Sequence, residues 1–206
     1  MTYAELVTHI NAIAVDSFST TMVNMFIQQA EEKIYTSVPN LPVCRKESTS
    51  IATVNGTATI TLPTDFRYMR SFAVLTAANI HKPLIKVDDS FIDDAFPVTA
   101  TTAFPQYYAL INSATLRMGP TPNAAYSTKL RYGFYPTSIV TESTTWLGDN
   151  FSASLLNGSL IEAARAQKAE EDVITEYEKL YVQSMGLLAK YADGRAETDT
   201  YHTGGR

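Results

Sequence analysis

Apolar residues recur along this chain with a helical period at both ends and a period of two in the middle, and this change of rhythm predicts its organisation. The longest uninterrupted helical signal lies in residues 145–191. There Val173, Tyr177, Leu180, Tyr181, Ser184, Leu187, Leu188 and Tyr191 form one stripe of a helix over about 172–191. Upstream, Leu155, Leu156, Leu160, Ile161, Ala163, Ala164 and Ala166 mark a helix over 152–169, whose small side chains let a neighbouring backbone come close. Asn150 or Ser152 is its expected cap and Asp172 that of the next helix, with a joint at 168–171 where the stripe loses register.

At the other end Ala4, Val7, Ile10 and Ile13 predict a helix over 2–15 capped by Thr2. A second starts at Thr20 or Thr21, with Met22, Phe26, Ala30 and Ile34 inward, widened by Val23 and Ile27. Gln28, Gln29, Glu31, Glu32 and Lys33 form its expected wet face, and Pro39 and Pro42 forbid continuation.

From Thr49 the alternation turns strand-like. Segments 50–54 and 57–62 flank Asn55-Gly56, a dipeptide that tolerates the positive φ of a tight hairpin turn. Further strands are expected over 70–75, 82–87, 106–111, 114–118 and 127–135, with Asn112-Ser113 turning a second hairpin and a short helix over 88–96. Gly119, Pro120 and Pro122 read as a rigid connector rather than a strand. The order predicts an α+β fold: mainly a helical bundle from the N- and C-terminal helices, an inserted antiparallel β domain, and an extended C-terminal tail. The expected boundaries are 1–48, 49–136, 137–191 and 192–206.

Composition adds limits. Only 18% of residues are charged, leaving a Thr-, Ser-, Asn- and Tyr-rich surface that suits large protein contacts, although a plain polar domain has the same composition. A net charge of −5 without a basic run argues against tight binding to nucleic-acid phosphates. The single cysteine, Cys44, excludes an internal disulfide and a cysteine metal cage. No apolar run approaches the ~20 residues of a membrane span and the N-terminus lacks a secretion signal, so a soluble protein made in the cytoplasm is expected.

Catalytic constellations are scarce, and neither enzyme chemistry nor a cofactor is expected. His9, His81 and His202 show no metal-ligand spacing to one another. Asp88, Asp89, Asp93 and Asp94 form the one acidic cluster, but it matches no calcium loop, and Phe91, Ile92, Ala95 and Phe96 read as the apolar side of a helical turn. A Gly-rich phosphate loop and a nucleophile elbow are both missing. Trp146 is expected to pack in the core ahead of the third long helix rather than to stack on a ligand. Residues 192–206, glycine-flanked and without apolar period, are expected to be disordered in isolation. A frayed terminus is the plain reading, while Arg195, Tyr201, His202 and Arg206 are residue types that anchor a segment once a partner orders it.

Several phrases then combine. The Asn-Gly turn after a helical start, Leu116-Arg-Met-Gly-Pro-Thr-Pro122 ahead of Leu130-Arg-Tyr-Gly-Phe-Tyr135, Thr145-Trp146-Leu147 before an Ala-rich helix, and Asp193-Gly-Arg195 with Asp199-Thr-Tyr201 resemble the head-to-tail adaptor proteins of tailed bacteriophages. That resemblance implies a virion structural protein at the head–tail junction, assembled in the host cytoplasm. It implies a ring of about twelve copies that joins the portal to tail or nozzle proteins, through which genomic DNA passes without sequence-specific binding and without a membrane. It also implies portal docking by the C-terminal segment, here Arg195, Tyr201, His202 and Arg206. Two other classes compete: a tail or fibre attachment or carbohydrate-binding module, from the β block and the 22 aromatics, and a metal-dependent hydrolase built on the acidic cluster. Because Phe26, Tyr177 and Tyr181 fall on helical stripes, the aromatics favour a core role and the adaptor.

Overall fold

The computed structural model describes residues 1–14, 18–76 and 78–195, with side chains up to Asp193. Among these the chain is mixed α/β with six α-helices and mainly antiparallel sheets. The first half runs α1 Tyr3–Ile13, α2 Thr20–Ser37, a 3-10 turn Pro42–Cys44, β1 Arg45–Ser48, β2 Thr59–Thr61, β3 Tyr68–Leu75, β4 His81–Pro83, β5 Ile85–Lys86 and α3 Asp89–Ala95. The second runs β6 Thr102–Ala103, β7 Tyr107–Leu110, β8 Thr115–Gly119, β9 Thr121–Pro122, β10 Thr128–Gly133, α4 Trp146–Asn150, α5 Ser152–Ala166 and α6 Glu171–Arg195. Two compact units result, Met1–Cys44 with Tyr135–Arg206, and Arg45–Phe134.

In the helical unit Thr2 caps α1 and Glu5 closes a capping box: the Glu5 N–H donates to the Thr2 hydroxyl at 3.3 Å and the Thr2 N–H to the Glu5 carboxylate at 2.8 Å. The cap of α2 is Ser19, one residue before the expected start, whose hydroxyl accepts from the Met22 N–H. Val23, Phe26, Ile27, Ala30, Ile34 and Tyr35 are buried along α2, whereas Met22 is part-exposed. Glu31, expected on the wet face, is also buried.

The cap expected of Asn150 or Ser152 does not form. Phe151 ends α4 and begins α5, its N–H donating to the Leu147 carbonyl at 2.8 Å while its own carbonyl accepts from Ser154, which leaves no turn for a capping side chain to close. Thr145 caps α4 instead, accepting from the Gly148 N–H at 3.2 Å. Trp146 takes its place in an aromatic cluster, its ring and those of Phe151 and Tyr191 lying 5.5 Å apart between centroids. Gly158 lets α5 approach both neighbours: a Cβ there would lie 3.1 Å from the Ala30 Cβ of α2 and 3.2 Å from the Tyr181 ring of α6.

The joint between α5 and α6 is a Schellman turn. The Ala169 N–H donates to the Ala164 carbonyl and the Lys168 N–H to that of Arg165, with Lys168 at φ +53°. Helix α6 starts at Glu171 rather than Asp172 and continues to Arg195, past the expected end at Tyr191, with Ala192 buried. Its inward line runs through Tyr177, Tyr181, Ser184, Met185, Leu188 and Ala192. Val173, Leu180 and Leu187, assigned to the buried stripe by their periodicity, are instead 39, 39 and 64% exposed. At about 100° per residue Val173, Leu180 and Leu187 fall on one flank of that packed line, within the same broad apolar stripe but turned from its centre.

The sheet unit holds two four-stranded sheets, β1-β10-β3-β4 and β2-β8-β7-β5, and the short pair β6-β9. Phe72, Val74, Leu130 and Tyr132 from the first sheet share a core with Ile60, Tyr108, Leu116 and Met118 from the second. The unit is not wholly antiparallel, because β5 runs parallel to β7 and β6 to β9. Thr121–Pro122, taken as connector, supplies β9.

The Asn55-Gly56 turn forms, with Gly56 at φ +75°, but it closes a single antiparallel bridge rather than a ladder between the expected strands. Val54 bridges only Thr57, Ala52 bridges Ser127, and β2 pairs with β8, where Ile60 lies opposite the buried Leu116. Burial outweighs the local turn. The strand expected over 82–87 breaks at buried Leu84, where the chain passes from β3 to β7 as partner. The second hairpin does form between β7 and β8, its turn held by the Ala114 N–H donating to the Asn112 side chain. Strand β1, Arg-Lys-Glu-Ser, has no apolar alternation to announce it and is made by pairing with β10.

Candidate interaction surfaces

The residues proposed for partner docking fall at the limit of the structure. Arg195 is the last residue of α6, and Tyr201, His202 and Arg206 lie outside the described residues. His9 and His81 are exposed on α1 and β4, in separate units. In the acidic cluster Asp89 and Asp93 both accept from one nitrogen of Arg117, at 3.2 and 2.7 Å, and these carboxylates hold the guanidinium pKa above its ordinary value. Among the described residues, no group of three or more His, Cys, Asp or Glu is placed to hold a metal ion.

The buried titratable groups of the helical unit are Glu31, Tyr35 and Cys44. Burial raises the Glu31 pKa, although the Ile139 N–H, 2.9 Å away, and the Ser138 hydroxyl both favour its charged form. Burial and the nearby Glu31 and Cys44 push Tyr35 upward, and burial alone pushes the Cys44 thiol up to about 11. Cys44 is a core side chain, 2% exposed.

Two surfaces of α6 stay open. One is a cleft of about 390 Å³ in which Ile13, Val173 and Tyr177 meet the turn from Gln167 to Glu170. The other, about 280 Å³, has an apolar floor of Ala30, Gly158, Ile161, Tyr181 and Val182. It is rimmed by an ion-pair chain in which Lys33 and Arg165 both meet Glu162, and Arg165 reaches Glu178 at 2.8 Å. In the sheet unit a shallow groove of about 420 Å³ crosses the outer face of β10, β3 and β4, between Lys129, Arg131 and His81. All three lie open at the surface.

The family model described as "SU10 adaptor protein" matches residues 1–205. The chain belongs to the SU10 adaptor family. It is a bacteriophage adaptor, a structural protein of the virion whose work is contact with other virion proteins. A search of curated proteins found no match to it. No helix among the adaptor's described residues is long and apolar enough to cross a membrane.

For an SU10 adaptor the exposed line of Val173, Leu180 and Leu187 and the charged sheet groove are the surfaces to consider, and neither is legible in the sequence. The apolar line was read as core because periodicity reports a face but not which face is packed. The groove joins residues from β3, β4 and β10 that are up to 60 positions apart, from Ser71 to Arg131. A charge count for each segment would have hinted at it.

Proposed function

We propose that this SU10 adaptor is a head-to-tail adaptor. About twelve copies form a ring that joins the portal to the tail or nozzle at the head–tail junction and lines the DNA exit channel, assembled in the host cytoplasm and working without catalysis. The observation that carries this reading is the family match over residues 1–205. The division into a helical unit and a sheet unit supports it, because a closed head-to-tail ring needs two unlike faces on each subunit.

Portal docking is assigned to residues 196–206, with Tyr201, His202 and Arg206 as anchors and Arg195 at the root. The segment is counted from residue 196 rather than 192 because α6 reaches Arg195 and Ala192 is buried. Extended, the 11 residues from 196 to 206 span about 36 Å at ~3.3 Å each.

The test is the native mass of the purified chain, alone and mixed with its candidate portal. A ring of about twelve copies, formed alone or on the portal, supports the reading. A chain that stays monomeric in both conditions while binding a glycan replaces it with an attachment module. Deleting residues 196–206 should keep the fold and abolish portal attachment, and unchanged portal affinity would remove the docking assignment.

A further inference from the structure

The net charge of −5 conceals a division between the units. Residues 45–134 hold nine Lys and Arg against six Asp and Glu, a formal +3, while the rest of the chain holds seven against fifteen, a formal −8. Within the sheet unit the acids are concentrated. Asp88, Asp89, Asp93 and Asp94 lie on and beside α3, and Asp65 is taken by Lys46 at 2.7 Å. The outer face of the β1-β10-β3-β4 sheet keeps an excess of cations.

Strand alternation builds that face. Leu130 and Phe72 turn to the core, so Lys129 and Arg131, paired with Ala73 and Ser71, point the other way. Glu47 accepts from Lys129 at 2.9 Å and from Arg131 at 2.8 Å, one carboxylate for two cations. Arg70, the extra residue where the register shifts between Arg131 and Tyr132, is exposed and has no ion-pair partner among the described residues. Between Lys129, Arg131 and His81 the groove presents Ala73 and Pro83, and Arg70 is the neighbour of its lining residue Ser71.

We propose that this cationic groove docks the acidic helical unit of a second copy of the chain. The inference rests on the ring reading and names the two faces that such a ring joins. The complementary stretch is Glu170-Glu171-Asp172, three consecutive exposed carboxylates without ion-pair partners among the described residues, followed by the part-exposed Val173. Three carboxylates answer Arg70, Lys129 and Arg131, and Val173 answers the apolar floor. A duplex DNA backbone offers the same charge sign but no apolar group for that floor, and each copy of the chain brings its own −8 unit at equal concentration. Opposite unit charges also steer the encounter and make it sensitive to salt.

The test uses two full-length variants, Arg70→Glu with Arg131→Glu, and Glu171→Lys with Asp172→Lys, followed by sedimentation velocity and native mass, alone and with the candidate portal. Wild type should self-associate, about tenfold more weakly in high than in low salt. Each variant alone should remain monomeric with an unchanged melting profile. An equimolar mixture should recover assembly, because the reversed sheet face of one variant matches the reversed helical face of the other, and the two native faces match in the same way. If a charge reversal unfolds the protein, Arg131→Gln and Glu171→Gln should still weaken association. Variants that assemble like wild type, or a mixture that fails to recover, overturn the pairing and leave the ring reading intact. Wild type that stays monomeric in every condition overturns both. A cationic-face variant that loses duplex DNA binding while self-associating normally assigns the groove to nucleic acid instead.

Discussion

The carboxylate of Glu31, 4% exposed on α2, accepts the backbone N–H of Ile139 at 2.9 Å. This contact ties α2 to the turn in which the Ser138 carbonyl accepts from Thr141 and Glu142. Desolvation is the largest influence on Glu31 and raises its pKa, so the folded state favours the protonated acid. The associated stability is fully present below the ordinary value of 4.5 and is lost as pH rises through the raised folded value. Glu31→Gln keeps an acceptor for Ile139 without the charge. Its melting temperature should exceed that of wild type at neutral pH, with the gap closing toward pH ~4. A gap independent of pH would show that Glu31 does not titrate with folding. Glu31→Ala should lose about 1–3 kcal/mol, because it strands the buried amide.

Gly158 sets the approach of three helices. Gly158→Ala gains up to ~1 kcal/mol of helix propensity and spends it against contacts at 3.1 and 3.2 Å, so its net effect should be small. Gly158→Leu should destabilise by about 1–3 kcal/mol in chemical denaturation, because Ala30 is backbone-anchored and cannot give way. A neutral Leu variant would mean that α6 moves aside without cost.

Gly133 of β10 lies opposite Tyr68 of β3, whose ring covers it so closely that a Cβ on Gly133 would fall 2.1 Å from ring carbons. Gly133→Ala should therefore cost about 1–3 kcal/mol. The cost should shrink in a Tyr68→Ala background, where the double-mutant cycle reads the coupling directly. Additive losses would show that the ring is not the obstacle.

Lys168 occupies the left-handed position of the turn after α5 at φ +53°, where an L side chain crowds the backbone. Lys168→Gly should raise the denaturation midpoint by the equivalent of about 0.5–1 kcal/mol. A lower midpoint would mean that the Lys168 side chain repays its backbone strain through packing.

Local chemistry was legible wherever a short stretch settles its own structure. Thr2 and Glu5 are three apart and cap one another, Asn112 can close its own turn, and the switch from helical to alternating period separates helices from strands. The family, too, was foreshadowed by phrases spread along the chain. What stayed hidden depends on partners distant in sequence. Glu31 reads as solvent-facing until Ile139, 108 residues later, covers it. The Asn55-Gly56 turn reads as a hairpin until β8 offers β2 a buried partner.

The sequence by itself determined that long helices stand at both ends of the chain with strands between them, and where the first helix is capped, because caps, prolines and periodicity act over a single turn. Tertiary structure alone decided which face of α6 is packed, which strands pair, and that Lys129 and Arg131 share one groove with His81. Those outcomes depend on the burial available across the whole fold, and burial is a property of assembled surfaces that no window of neighbouring residues contains.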